Sequence, residues 1–325
     1  MIALALVGCS ASAAPSSSPS VGAPASSVAS SGSPAASASP SGDAQIPAAF
    51  PLRLRDDEGT LVVLQNEPVR IVSLMPAVTE TLFALGEGRK VVGGTDADDY
   101  PEQAKALPHV ATYQGVSIEQ VVALKPDLVI AGGNSGTQPA DIERLRSLGL
   151  PVAVVYAGTV QQVLSDIRLL GSVSGAYPAA VAMTTAMRTR IDAIAAVARA
   201  RPSHPRVFYE LGDQPAIYGP SSDFFGVELI RLAGGDPITT GDPHSFTMPL
   251  ERLVVADPEV IVLGDANYGA TAAAGADRPG WGGLTAVRSG AIRPVDDVIV
   301  TRPGPRLADG LAALALAIDP TLRLP

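Results

Sequence analysis

Histidine and cysteine are scarce in this 325-residue chain, and the spacing of the residues that could do covalent or metal chemistry argues against it. The three histidines, His109, His204 and His244, are scattered, and none has a partner at metal-ligand spacing. The single cysteine, Cys9, excludes an intramolecular disulfide and the paired-cysteine zinc, iron–sulfur and redox motifs. No Gly-x-Ser-x-Gly elbow, phosphate loop or dinucleotide fingerprint stands at a strand–helix junction. Gly132-Gly133-Asn134-Ser135-Gly136 lacks the spacing and the lysine of a phosphate loop and reads as a rim turn. Ser221 and Ser222, before Asp223, read as a helix cap, and a surface hydrolase would need a histidine to serve a serine. The chain is not expected to be an enzyme and has no intrinsic cofactor or resident metal.

What the sequence does carry is a repeated carboxylate. Glu119-Gln-Val-Val-Ala-Leu-Lys-Pro126-Asp127-Leu-Val-Ile-Ala-Gly132 matches Glu251-Arg-Leu-Val-Val-Ala-Asp-Pro258-Glu259-Val-Ile-Val-Leu-Gly264 without a gap, at an offset of 132. Each copy reads as a short helix beginning near a glutamate, a proline that stops it, and a buried strand. A glutamate in a first helical turn is already favoured by the helix dipole, so one copy alone would mean little.

The elements around these copies alternate between strand and helix. Phe50–Leu64 reads as a hairpin turning at Asp57-Glu58-Gly59. Arg70–Leu74 is a short β-rich run ending at Pro76, a helical pattern runs from Thr79 to Gly86, and Val91–Gly94 and Leu128–Ala131 read as strands. Arg206–Leu211 and Phe224–Ala233 mirror the opening strand and helix of the first half. Between the halves, residues 178–200 hold no glycine and no internal proline, and predict one helix of roughly 35 Å at ~1.5 Å per residue. The fold class expected is α/β: two Rossmann-like lobes, 46–175 and 203–325, joined by a single long helix at 176–202, with a ligand cleft between them at the carboxyl ends of the strands.

The first residues differ in kind. Residues 1–9 end in Leu6-Val7-Gly8-Cys9, and every charged residue lies at or beyond Asp43. From Ser10 to Gly42 all but Val21 and Val28 are Ser, Ala, Pro or Gly, so 10–45 reads as a flexible tether spanning roughly 30 Å on average. The apolar start resembles a bacterial lipobox, with Cys9 as the lipid anchor. It is short for a signal and has no preceding Lys or Arg, as would follow if translation began further upstream. A net charge of −9 argues against nucleic acid, and no apolar run reaches the ~18 residues of a spanning helix.

Arg70–Gly86, Asp99-Tyr100-Pro101, Leu124–Ile130, Ala233-Gly234-Gly235 and Arg302-Pro-Gly-Pro-Arg306 together resemble the helical-backbone class of ABC-transporter substrate-binding lipoproteins. These take up cobalamin, ferric siderophores and haem. Ala111-Thr112-Tyr113-Gln114-Gly115 is similar to the Thr-Trp-Gln-Gly of the cobalamin receptors, with Tyr in place of Trp. A second tryptophan those receptors often carry is Gly132 here.

The resemblance implies that Glu119 and Glu251 dock on arginines of a permease dimer with its ATPase subunits. It implies a metal chelate as ligand, a corrinoid first and a ferric siderophore or haem second, held by a monomer anchored outside the cytoplasmic membrane by lipid alone. Broad flat or rounded chelates call for aromatic faces and a few polar anchors. The expected contacts are Pro76, Ala77, Tyr113, Gln114, Tyr218, Phe246 and Arg302, with Phe224 and Phe225 divided between ligand and core. Trp281 is expected to anchor its own loop, and His244 to reach the cleft, where Tyr113 or Tyr218 could oppose it as a haem ligand.

Overall fold

The computed structural model describes residues 50–133 and 136–325. Cys9, the tether, and Asn134 and Ser135 of the glycine-rich turn lie outside the described residues. A hairpin, β1 (Leu52–Arg55) and β2 (Leu61–Leu64), comes first among the described residues. Next come β3 (Ile71–Ser73), α1 (Pro76–Ala84), β4 (Val91–Thr95), β5 (His109–Thr112), β6 (Gly115–Val116), α2 (Ile118–Ala123), β7 (Leu128–Gly132), α3 (Pro139–Ser147) and β8 (Val152–Val155). The six strands from β3 onward form one sheet in the order β6-β5-β4-β3-β7-β8, parallel except for β6. Every residue of β7 is buried, as expected for a central parallel strand covered on both faces.

Two helices then lead out of this lobe. In α4 (Val160–Ser174) the Thr159 hydroxyl accepts from the Gln162 amide at 3.1 Å, and Gly175 ends the helix at φ 82°. Helix α5 (Tyr177–Arg199) follows, 23 residues long, with Pro178 in its first turn and a buried stripe of Ala180, Thr184, Met187, Ile191, Ile194 and Ala198.

The second lobe holds β9 (Arg206–Glu210), α6 (Gly226–Leu232), β10 (Asp236–Ile238), α7 (Leu250–Ala256), β11 (Val260–Leu263), α8 (Ala272–Ala276), α9 (Thr285–Arg288), β12 (Ile292–Pro294), α10 (Asp297–Thr301) and α11 (Leu307–Ile318). Its four strands are all parallel, in the order β10-β9-β11-β12.

Three local expectations are corrected. Helix α1 begins at Pro76, not Thr79, because proline's fixed φ and missing N–H suit a first helical turn. Helix α6 begins at Gly226, not Phe224: Phe225 is its N-cap and turns its ring into the core. Ser221 does not cap that helix, since its hydroxyl donates to Asp223 at 2.8 Å.

The lobes also join through a buried ion cluster. Glu80 of α1, 2% exposed, takes both Arg302 and Arg306 from the second lobe. The Arg306 guanidinium accounts for two of these bonds, at 2.7 and 2.9 Å, and lies 4.2 Å over the Tyr100 ring.

Candidate functional site

The repeated units sit in the two lobes in matching positions. Helix α2 starts at Ile118 and α7 at Leu250, again 132 residues apart, and each carries its glutamate, Glu119 or Glu251, exposed in the first turn. Each helix buries one side chain fully, Val121 in α2 and Leu253 in α7. One residue on, Val122 and Val254 are 44% and 45% exposed, so both helices show solvent a glutamate and a valine one turn apart.

The carboxyl edge of the first sheet carries a cavity of about 190 Å³, lined by Leu74, Pro76, Thr95, Thr112, Tyr113 and Thr137. Tyr113 stands at its rim with its side chain 91% exposed, and Gln114 Nε2 donates to the Tyr113 hydroxyl at 3.3 Å. Behind the cavity a buried chain of hydroxyls runs from Thr79 to Ser73 and to Asp98, whose carboxylate also accepts from the Thr95 amide at 2.9 Å. Burial pushes the Asp98 pKa up, against these hydrogen bonds and the Arg302 charge. Ala77 is buried against the second lobe: a Cβ on Gly304 would stand 3.5 Å from the Ala77 carbonyl oxygen.

The second lobe is built differently. Tyr218 is half-buried in a small bridge that pairs it with Gly212 and Thr247. Phe246 is 43% exposed and meets Phe224 edge to face at 5.8 Å, and Phe224 in turn meets Phe225 at 6.1 Å. His244 is exposed on the same loop, where its amide donates to Asp242 at 2.8 Å. His109 is exposed, and His204 contacts the Gly234 carbonyl through Nδ1 at 3.0 Å. Trp281 is 1% exposed, packed under Arg278 at 4.6 Å. The Arg302 guanidinium is held by Glu80 and by Asp99, the latter at 2.7 Å. An anionic ligand group would have to displace Asp99 to reach it.

The first lobe thus brings Pro76 and Tyr113 to one cavity, with Gln114 beside it, while Tyr218 and Phe246 share a separate loop cluster. Sequence reasoning missed a charged group at the carboxyl edge of the second sheet. There a cavity of about 460 Å³ is lined by Leu211, Gly212, Asp213, Asp265, Tyr268 and Arg278. Arg278 pairs with buried Glu210 and with Asp213 at 2.9 Å. Burial pushes Glu210 up to about 7, with Arg278 opposing and Asp265 adding to the rise. Asp265 is raised mainly by burial as well. Glu210 Oε1 and Asp265 Oδ1 are both buried, and neither has a hydrogen-bond partner among the described residues. The one signal for this group was a carboxylate at or just after the end of each of two strands, Glu210 in β9 and Asp265 two residues beyond β11.

Among the described residues no three His, Cys, Asp or Glu side chains gather as a metal site, and no helix is long and apolar enough to cross a membrane.

Comparison with known proteins agrees with this geometry. Residues 71–298 match the periplasmic binding protein family. YvrC of Bacillus subtilis, described as an uncharacterized ABC transporter substrate-binding lipoprotein, is 34% identical over 275 residues, 83% of this chain and 86% of that protein. A cobalamin-binding protein of Halobacterium salinarum is 33% identical over 289 residues, 86% of this chain and 77% of that one. Among solved structures, the periplasmic vitamin B12 binding protein BtuF of Vibrio cholerae superposes with a TM-score of 0.69 at 27% identity, over 78% of this chain and 97% of its own. The periplasmic heme-binding protein RhuT of Roseiflexus sp. RS-1 gives 0.68 at 27% identity, over 77% and 97%.

Proposed function

This chain belongs to the periplasmic binding protein family, and we propose that it captures a corrinoid outside the cytoplasmic membrane and delivers it to an ABC permease. Its work is binding rather than catalysis. The observation that carries the corrinoid reading is Thr112-Tyr113-Gln114-Gly115 at the rim of the first-lobe cavity, with an aromatic face turned to solvent. A broad macrocycle laid on that face loses water from both surfaces, and Gln114 and Thr112 offer partners to peripheral amides. Pro76 forms part of the cavity wall, with Ala77 behind it, buried against the second lobe. Tyr218 and Phe246 face the ligand from the second lobe, and Arg302 reads a carboxylate, amide or phosphate that outcompetes Asp99. The relatives named for cobalamin and vitamin B12 support the same choice.

Delivery runs through Glu119 and Glu251, one on each lobe, against arginines of a permease dimer coupled to its ATPase subunits. Exposed ion pairs contribute about 0–1 kcal/mol each, so their value lies in register and on-rate. A lipid on Cys9 with the tether behind it keeps the monomeric body within reach of the permease. Haem is the second reading, because His244 and Tyr113 are both exposed and either is a chemically suitable axial ligand.

Thermal unfolding with cyanocobalamin, haemin and a panel of ferric siderophores tests the choice. Cyanocobalamin is expected to raise the Tm and saturate at one per chain. A rise with haemin alone would transfer the assignment to haem, and no rise with any of them would end the transport reading.

A further inference from the structure

Both repeated helices are short, six residues for α2 and seven for α7, well under the length at which a helix holds itself in water. With one fully buried side chain each, something else must fix the direction in which their glutamates point. At the far end of each helix the structure provides an arginine.

Arg70, the residue before β3, donates from Nε and Nη2 to the Leu124 carbonyl at 3.0 and 2.7 Å. Arg206, which opens β9, donates from Nε to the Ala256 carbonyl at 3.0 Å, and from Nε and Nη2 to the Asp257 carbonyl at 3.0 and 2.8 Å. Leu124 and Ala256 are equivalent positions of the repeat. These carbonyls end a helix and have no partner within it, so a guanidinium both satisfies them and meets the negative end of the helix dipole.

The rest of the arrangement is duplicated too. The Asp127 amide donates to the Arg70 carbonyl, and the Glu259 amide to the Arg206 carbonyl, both at 2.9 Å. In return the Arg70 amide donates to the Asp127 carboxylate and the Arg206 amide to the Glu259 carboxylate, both at 3.0 Å. Between helix and strand, Lys125 at φ 47° and Asp257 at φ 41° make the same left-handed turn, costly for any residue but glycine. Two lobes with different strand numbers keep this one detail alike.

We infer that Arg70 and Arg206 are positioning residues of the docking face, each clamping the carboxyl end of a short helix so that Glu119 or Glu251 is presented at a fixed angle to the permease. The inference rests on the docking reading of those two glutamates. On this reading the arginines act through α2 and α7, whose ends they hold, rather than by contacting permease or ligand.

The test uses the full-length lipoprotein and its cognate permease–ATPase complex in nanodiscs, and reads permease affinity, ligand affinity and amide exchange of α2 and α7. Arg70→Ala and Arg206→Ala are each expected to weaken permease binding by about tenfold, the scale of a lost hydrogen bond to a charged group. Ligand affinity stays within about twofold, exchange accelerates only in the clamped helix, and Arg→Lys at either site restores part of the loss. In a Glu119→Gln background Arg70→Ala adds nothing, because the glutamate it orients is gone. An equal further loss in that background, or unchanged permease binding by the alanine variants while Glu119→Gln and Glu251→Gln weaken it, overturns the clamp alone. Unchanged binding by the two Glu→Gln variants overturns the docking reading itself.

Discussion

Arg70, Asp127 and Glu119 in the first lobe have their counterparts in Arg206, Glu259 and Glu251 in the second, and the hydrogen bonds around each arginine repeat. At the opposite edge of the same strands the likeness ends. Following the β3–β7 and β9–β11 registers, Ser73, Leu74 and Gly133 of the first lobe correspond to Tyr209, Glu210 and Asp265 of the second. At these first-lobe positions the side chains are uncharged. The other edge holds a buried carboxyl pair, an arginine, and a tyrosine hydroxyl donating to Asp297 at 2.7 Å. A conserved geometry in one place and divergence a strand's length away fit two partners of different symmetry. On the proposed function, a permease dimer offers each lobe the same surface, whereas a corrinoid has unlike faces for unlike edges to grip.

The largest effect expected follows from the matched side. Glu119→Lys and Glu251→Lys each lower transport to the same extent, and together they abolish it while ligand affinity holds; markedly unequal single variants would break the equivalence of the lobes. Next is the seam between the lobes. Glu80→Ala strands Arg302 and Arg306 without their buried partner, and urea unfolding should register a loss of about 3–5 kcal/mol.

The unmatched edge predicts a pH dependence of stability carried by Glu210. Because Glu210 is raised from its ordinary 4.5 to about 7, the folded chain keeps a proton that the unfolded chain has released. Its contribution to stability is therefore full below about pH 4.5, declines as pH rises towards 7, and is flat above. Asp166, pushed up to about 8 by burial and by Asp57, adds a slope of the same sign elsewhere, so the comparison is between the native chain and Glu210→Gln. An unchanged slope in that variant would contradict the raised Glu210 pKa as its source. Smallest in stability is Tyr113→Ala: at 91% exposure it should leave unfolding within about 0.5 kcal/mol, yet weaken corrinoid binding by up to about tenfold. Equal affinity in that variant would move the ligand off the first-lobe aromatic.

How much of this was legible in the sequence depended on distance along the chain. The lobes, α5 and the two glutamates were readable because periodicity, proline stops and the 132-residue echo are local or repeated signals. Arg70 and Arg206 carried a usable signal, one just before β3 and the other opening β9, opposite Asp127 and Glu259, but their role needs the strand register, which sequence spacing does not give. The Glu80 cluster joins residues 222 and 226 positions apart and has no periodic trace, so Arg302 read as a free cation for ligand rather than one already bound to Glu80 and Asp99. The Glu210–Asp265 pair was hidden for the same reason: neighbouring strands β9 and β11 bring together residues 55 positions apart in sequence.

The central claim, that the two unlike edges close on a corrinoid, is tested most directly by the absorbance spectrum of the protein purified from its native host. Corrinoid bands at one equivalent per chain are the predicted result. A haem Soret band or ferric-siderophore charge-transfer bands in their place would contradict it.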